Sequence, residues 1–252
     1  MSLTTTDLTA YLNDYLRLTE VADSTEAMNG LQVDNFGSVT RIAAAVDACQ
    51  AVIDRVADSG ADFLLVHHGL FWGGLQSLTG RHGRRLRRLI ECGIAVYSAH
   101  IPLDVHPDVG NNAVLARALG VEAPDWFGDY HGERLGIVGQ LDLSLQELVG
   151  RVHTFLGIDP YVIAEGPNRV SRVGIISGGG GSMIGQARDA GADTYVTGEG
   201  KHHTYFDAEE WGMNVIYAGH YATETVGVKA LAAHLADRFD LAWDFIDHPT
   251  GL

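Results

Sequence analysis

Leu8, Tyr11, Leu12, Tyr15 and Leu16 recur at helical spacing and share one face, which predicts a first helix capped by Thr6 or Asp7. Short apolar runs then alternate with amphipathic stretches. Gly30-Leu-Gln-Val33 and Ile42-Ala-Ala-Ala-Val46 read as strands, and a helix is expected from about Gln50 to Ala57. Asp62-Phe-Leu-Leu-Val66 is a further strand that runs straight into His67-His68-Gly69. After a glycine-rich loop, Arg84 to Cys92 is helical in pattern and Ile94 to Ser98 is a strand. Val226 to Phe239 is amphipathic, with Thr223 as its expected cap and Glu224 in its first turn, where a carboxylate is favoured. This alternation predicts an α/β protein with layered mixed sheets and helices.

The second half repeats the order of the first. Ile53 to Gly69 lies over Ile184 to Gly200 at a constant offset, so that Asp58, Gly60, Ala61 and Asp62 fall on Asp189, Gly191, Ala192 and Asp193. Tyr97, His100 and Asp104 fall on Tyr217, His220 and Glu224 at a smaller offset, as if Gly73 to Gly80 were an insertion. The expectation is two related α/β halves, approximately residues 1–125 and 126–252, facing each other across a metal-binding cleft. Ala123-Pro-Asp-Trp-Phe-Gly128 interrupts the periodicity and places the seam between Gly120 and Leu135. His67 and His68 correspond to Gly198 and Glu199, so the halves differ chemically.

Composition narrows the function. A formal charge of -15 over 252 residues argues against a general nucleic-acid binder, which needs surplus Lys and Arg to neutralise phosphates. The two cysteines, Cys49 and Cys92, lack metal-type spacing and favour a reducing compartment over a disulfide framework. No leader-like segment or long apolar stretch is present, so the expectation is a cytoplasmic protein with no membrane partner.

Three strand ends deliver the candidate chemistry: the His67-His68 doublet, His100 four residues before Asp104, and His220 four residues before Glu224. Imidazoles with carboxylates and no thiolate suit Zn, Fe, Mn, Ni or Co rather than Ca or Mg, and two divalent ions are expected. Adjacent strand residues point to opposite faces, so the doublet shares one cleft only if the chain leaves extended geometry; otherwise each His serves a different metal. The bland alternative is one loop His and one core His. Pro102 argues against a helix between His100 and Asp104, which are expected in a loop. Two close cations need a bridging carboxylate, and Glu224 is the choice.

These residues resemble the family of GTP cyclohydrolase 1 type 2 homologues, also called Ngg-interacting-factor-three-like proteins. The resemblance runs through Asn29-Gly-Leu-Gln-Val33, His67-His-Gly-Leu-Phe-Trp72, His100-Ile-Pro-Leu-Asp104 with Gly110-Asn-Asn112, Gly178 to Gly181, Thr197-Gly-Glu199 and Gly219-His-Tyr-Ala-Thr-Glu224. It implies His67, His68, Asp104, His220 and Glu224 as ligands of two metals with His100 beside them, and a toroidal hexamer of identical chains. The family name implies opening of the GTP imidazole ring with release of formate, for which His100 is the candidate acid/base or, equally, a residue that orients Asp104. The alternative is a non-catalytic metal-binding or regulatory module.

Ser177-Gly-Gly-Gly-Gly-Ser182 follows the strand Val173 to Ile176, so Gly178, Gly179, Gly180 and Gly181 are candidates for receiving a nucleotide phosphate. The competing reading is a tight turn that needs positive φ and close packing. Arg81 to Arg88 carries five arginines, enough to hold a triphosphate or meet an acidic neighbouring subunit, although a solvated helix face is the commoner use. His202 and His203 are read as surface residues.

Overall fold

The computed structural model describes residues 2–252, which form a mixed α/β protein with two mixed sheets. The chain divides into two compact units, the first reaching Val109 and taking in Gly227–His248, the second covering Gly110–Val226 and Pro249–Leu252. Among the described residues no helix is long and apolar enough to cross a membrane.

The first unit begins with α1 (Thr5–Tyr15), β1 (Gly30–Val33), β2 (Arg41–Asp47), α2 (Gln50–Ser59) and β3 (Phe63–His68), followed by α3 (Gly80–Cys92), β4 (Ala95–Ser98) and α4 (Ile101–Asp104). The second runs through α5 (Asn111–Leu119), β5 (Glu122–Tyr130), β6 (Glu133–Ser144), α6 (Leu145–Leu156), β7 (Tyr161–Ala164) and β8 (Arg169–Ile176). A short 3-10 turn (Gly180–Met183) leads to α7 (Ile184–Asp189), β9 (Thr194–Thr197), α8 (Thr204–Trp211) and β10 (Asn214–Tyr217). Then α9 (His220–Phe239) carries the chain back to the first unit, which β11 (Ala242–Phe245) completes.

The first sheet has the order β1-β4-β3-β2-β11, with β11, β2, β3 and β4 parallel and β1 antiparallel. Its strands are apolar on both faces because both are covered. Ile42, Ala44, Phe63 and Leu65 meet Leu8 and Leu12 of α1 and Leu231 and Leu235 of α9, while the intervening Ala43, Ala45, Leu64 and Val66 meet Val52, Val56 and Leu89 of α2 and α3. The period of two thus assigns alternate residues of one strand to two helical layers.

The second sheet has the order β5-β6-β8-β9-β10-β7, in which β8, β9 and β10 are parallel. Leu148 and Val152 of α6 and Leu115 of α5 pack on Val173, Ile175, Val196 and Ile216. The β8-β9-β10 trio repeats β2-β3-β4, as the sequence offset predicts. Asp62 Oδ atoms accept the N–H groups of Thr40 and Arg41 at 2.9–3.2 Å, and Asp193 Oδ2 accepts those of Ser171 and Arg172 at 2.8 and 3.1 Å. Each aspartate therefore ties the start of its own strand to the start of the neighbouring one. Gly60 and Gly191 precede them with φ of 75° and 84°, a left-handed turn out of the helix that side chains disfavour.

Four local expectations change. Thr4, not Thr6 or Asp7, caps α1 through its hydroxyl, which accepts the Asp7 N–H at 3.1 Å. His100 and Asp104 belong to the single-turn helix α4 and its cap rather than a loop, because Pro102 lies in its first turn, where no N–H is needed. α9 begins at His220 instead of Val226, and Thr223 inside its first turn returns its hydroxyl to the carbonyls of Gly219 and His220. The Ala123–Gly128 stretch read as a seam is β5, paired with β6 inside the second unit, and its irregular pattern reflects a register shift between Glu122 and Asp125.

Asp62→Ala and Asp193→Ala leave the same pair of N–H groups without their acceptor in each unit, and each is expected to cost about 1–3 kcal/mol. Urea unfolding of the two variants, fitted for midpoint and slope, measures this.

Candidate metal centre

Parallel strands deliver their carboxyl ends to one edge of a sheet, and in open α/β sheets that edge is where ligands bind. In the first unit it holds Asp47 at the end of β2, His67 and His68 at the end of β3, and His100 after β4. The ligating nitrogens of His67, His68 and His100 lie within 4.8 Å of one another. His67 Nε2 is also 3.6 Å from Asp104 Oδ2, with both side chains almost wholly buried. The adjacent His67 and His68 rings converge to a centroid separation of 4.7 Å. Val66 is the last β3 residue in register with β4; beyond it the ladder continues on the β2 side, with Asp47 beside His68, while Ser98 Oγ donates to the His67 carbonyl at 3.1 Å.

The second nitrogen of each ring is committed. His67 Nδ1 lies 2.9 Å from the Ala99 carbonyl, His68 Nδ1 3.0 Å from Asp47 Oδ1, and His100 Nδ1 2.8 Å from Asp23 Oδ1. Carbonyls and carboxylates only accept, so Nδ1 carries the proton in all three and Nε2 keeps the lone pair, which suits it to a cation or to a proton. Asp23 also receives the N–H groups of Ser24 and Ile101 and the side-chain amide of Asn29, whose oxygen takes the His100 N–H at 2.7 Å. Burial pushes the Asp23 carboxyl up, but His100, Asn29 and the Ser24 N–H outweigh it and hold the group below the usual carboxylate range. Trp72 closes one side, its indole perpendicular to the His100 ring at 4.9 Å and to His68 at 5.9 Å.

In the second unit the equivalent edge carries Gly178 after β8, Glu199 after β9 and His220 after β10. His220 Nδ1 meets Glu199 Oε1 at 2.8 Å, and Nε2 meets Glu224 Oε1 at 3.1 Å, one helical turn along α9. The hydrogen bond to buried Glu224 is the main cause that lifts His220, against a smaller effect of burial, to about 9, with Glu199 adding to it. Gly178 adopts φ of 62°, and a Cβ there would fall onto Glu224 Oε1. That glycine is required for the carboxylate to sit where it does.

The glycine loop is closely packed. Ser177 N–H donates to Asn112 Oδ1, Gly178 N–H to Thr223 Oγ1 and Gly181 N–H to the Glu199 carbonyl, so three donors of the loop expected to meet phosphate are directed into the protein. His202 and His203 are exposed at the start of α8. Arg88 of the arginine run lies 3.5 Å from both Asp54 and Asp58 of α2.

Sequence reasoning missed Asp23, Asp47 and Glu199 as anchors of the imidazoles. Asp47, a carboxylate ending a buried apolar strand, and Glu199, aligned with His68 in the repeat, carried a usable signal; Asp23 lies in an aperiodic stretch and had none. The donor set, imidazole nitrogens tied through Nδ1 beside buried carboxylates, fits divalent transition metals.

The profile of the family described as Duf34/NIF3 (NGG1p interacting factor 3) matches residues 3–250. Relatives called GTP cyclohydrolase 1 type 2 homolog include those of Deinococcus radiodurans, 44% identical over 98% of this chain and 94% of its own length, and of Halobacterium salinarum, 45% identical over 98% of each. Among solved structures, TTHA1606 from Thermus thermophilus superposes with a TM-score of 0.90 at 43% identity over the whole of both chains. Reduced HcgD from Methanocaldococcus jannaschii superposes with a TM-score of 0.86 at 27% identity, over 98% of this chain and 99% of its own.

Because the folded pKa of His220 lies above the ordinary value of 6.5, its ion pair stabilises the metal-free protein fully below pH 6.5 and ceases to do so as pH climbs through about 9. Thermal unfolding of chelator-treated protein is expected to lose this increment between those limits, and Glu224→Gln to flatten the profile there. Gly178→Ala is expected to displace Glu224 and weaken zinc or manganese uptake by at least about tenfold, measured by calorimetry.

Proposed function

The chain belongs to the Duf34/NIF3 family, and from that premise we propose that it is a dinuclear metal-dependent hydrolase that opens the imidazole ring of a guanine nucleotide and releases formate. The observation that carries the reading is the anchoring of every candidate imidazole through Nδ1. Each anchor presets the tautomer, as the partners of the second ring nitrogen do in metal-ligating histidines. In this proposal His67, His68 and Asp104 would hold divalent metal in the first unit, and His220 and Glu224 would hold it in the second.

When bound, such ions supply Lewis-acid charge that polarises the substrate and lowers the pKa of water. The remaining work falls to the chain. Ring opening needs water to add at purine C8, the bond from C8 to a ring nitrogen to break, and that nitrogen to receive a proton; a second water then releases formate. His100 is suited to move those protons, because its Nδ1–H is committed to Asp23 and Nε2 is left to take a proton and return it. The ionised Asp23 carboxylate stabilises the resulting imidazolium, and Asn29 keeps both groups in place. Trp72 screens the two imidazoles from solvent on one side.

The test is a formate-release assay on GTP with metal-loaded protein. Chelation and Glu224→Ala are each expected to abolish turnover, and Asp23→Asn to lower kcat by about 10–100-fold while metal content holds. Fully loaded protein that releases no formate from any guanine nucleotide would instead mark a non-catalytic metal-binding module.

A further inference from the structure

Tyrosines from three elements of the second unit gather on the α8 side of its sheet, apart from the residues given to metal. Tyr161 of β7 lies opposite Tyr217 of β10 in register, and the neighbouring Val162 and Ile216 pack toward α5 and α6. The period of two therefore turns both phenols to the other face. There the two rings run nearly parallel, 9° apart in plane with centroids at 6.2 Å, and Tyr205 of α8 is near enough for Tyr161 to act on its phenol. The stack is held in place: the Tyr217 hydroxyl hydrogen-bonds to that of Thr204, and a Cβ on Gly200 would fall onto it. Tyr97, the counterpart of Tyr217 in the repeat, is wholly buried with its hydroxyl on Asn13, whereas Tyr161 is 62% exposed on an edge strand. Core packing accounts for Tyr97 but not for an ordered aromatic stack at the surface.

Charge selects what these rings can hold. Glu165 Oε1 lies 3.5 Å from the Tyr205 hydroxyl, and Glu165 and then Glu209 push that phenol up. Burial raises the Tyr217 phenol most, the Thr204 bond opposes it, and Asp207 adds a further rise. Among the described residues no Lys, Arg or His forms an ion pair with Glu165, Asp207 or Glu209, and no cation lies over Tyr161, Tyr205 or Tyr217. Trp211, at the far end of α8, differs: the Arg188 guanidinium sits 4.2 Å above its ring. Aromatic faces in a negative field with no resident cation suit an organic cation, whose methyl groups pack on the rings while its charge meets their electron-rich faces. An anionic ligand would meet the three carboxylates instead. We propose that Tyr161, Tyr205 and Tyr217 form a binding site for a quaternary ammonium group, with Glu165 as its countercharge. The rings make the site, and the carboxylates set the sign of its ligand.

Ligand-observed NMR on the full chain tests the site, with choline as the probe and, as its control, the uncharged isostere in which a tert-butyl group replaces the trimethylammonium group. Choline is expected to bind with a Kd of about 10 mM or tighter, and the isostere at least about fivefold more weakly. Tyr161→Ala is expected to weaken choline binding by about 5–30-fold and Glu165→Gln by about 2–5-fold, while Tyr161→Trp retains or tightens it. Both positions are exposed, so the unfolding midpoint is expected to stay at the wild-type value in each variant. A wild type that binds no choline at about 10 mM overturns the proposal. So does an isostere that binds as tightly as choline, or a Tyr161→Ala protein with an unchanged midpoint that binds choline as the wild type does.

Discussion

An imidazole presents a dependable lone pair only when its other nitrogen is held by an acceptor, and this constraint organises the molecule. Three such acceptors in the first unit, the Ala99 carbonyl, Asp47 and Asp23, fix His67, His68 and His100. Glu199 does the same for His220 in the second. None of these acceptors is close in sequence to the ring it holds, so the sheets must form before any tautomer is set. The layered fold thus positions the side chains and prepares their electronic state.

The same trio of parallel strands recurs in both units. Three parallel strands in each unit bring their carboxyl ends to one edge, and the aspartates at 62 and 193 pin equivalent strand starts. The same scaffold carries different chemistry because His68 is replaced at the equivalent position by Glu199. One unit offers a crowd of imidazoles around a buried aspartate; the other offers a single histidine gripped between two glutamates, tight enough to need a bare glycine at position 178.

Likeness to relatives across the full length of the chain fixes the family and the fold, and the chemistry rests on the side chains themselves. The glycine loop illustrates the difference. Its pattern invites a phosphate, while its geometry commits the N–H groups of Ser177, Gly178 and Gly181 to internal acceptors, and Gly178 lets Glu224 approach.

The sequence alone determined the alternation of strands and helices, the internal repeat and the histidine and carboxylate pairs, since periodicity and spacing are local properties written along the chain. Helix starts were less legible: hydroxyl and carboxylate residues crowd Thr4 to Asp7 and Thr223 to Glu224, and only backbone hydrogen bonds decide which of them caps. The tertiary structure alone decided that His67 and His68 converge, that α4 forms around Pro102, and that Asp23 is the partner of His100. Those outcomes depend on contacts between residues far apart in the chain, whose free energies appear only once the sheets bring them together.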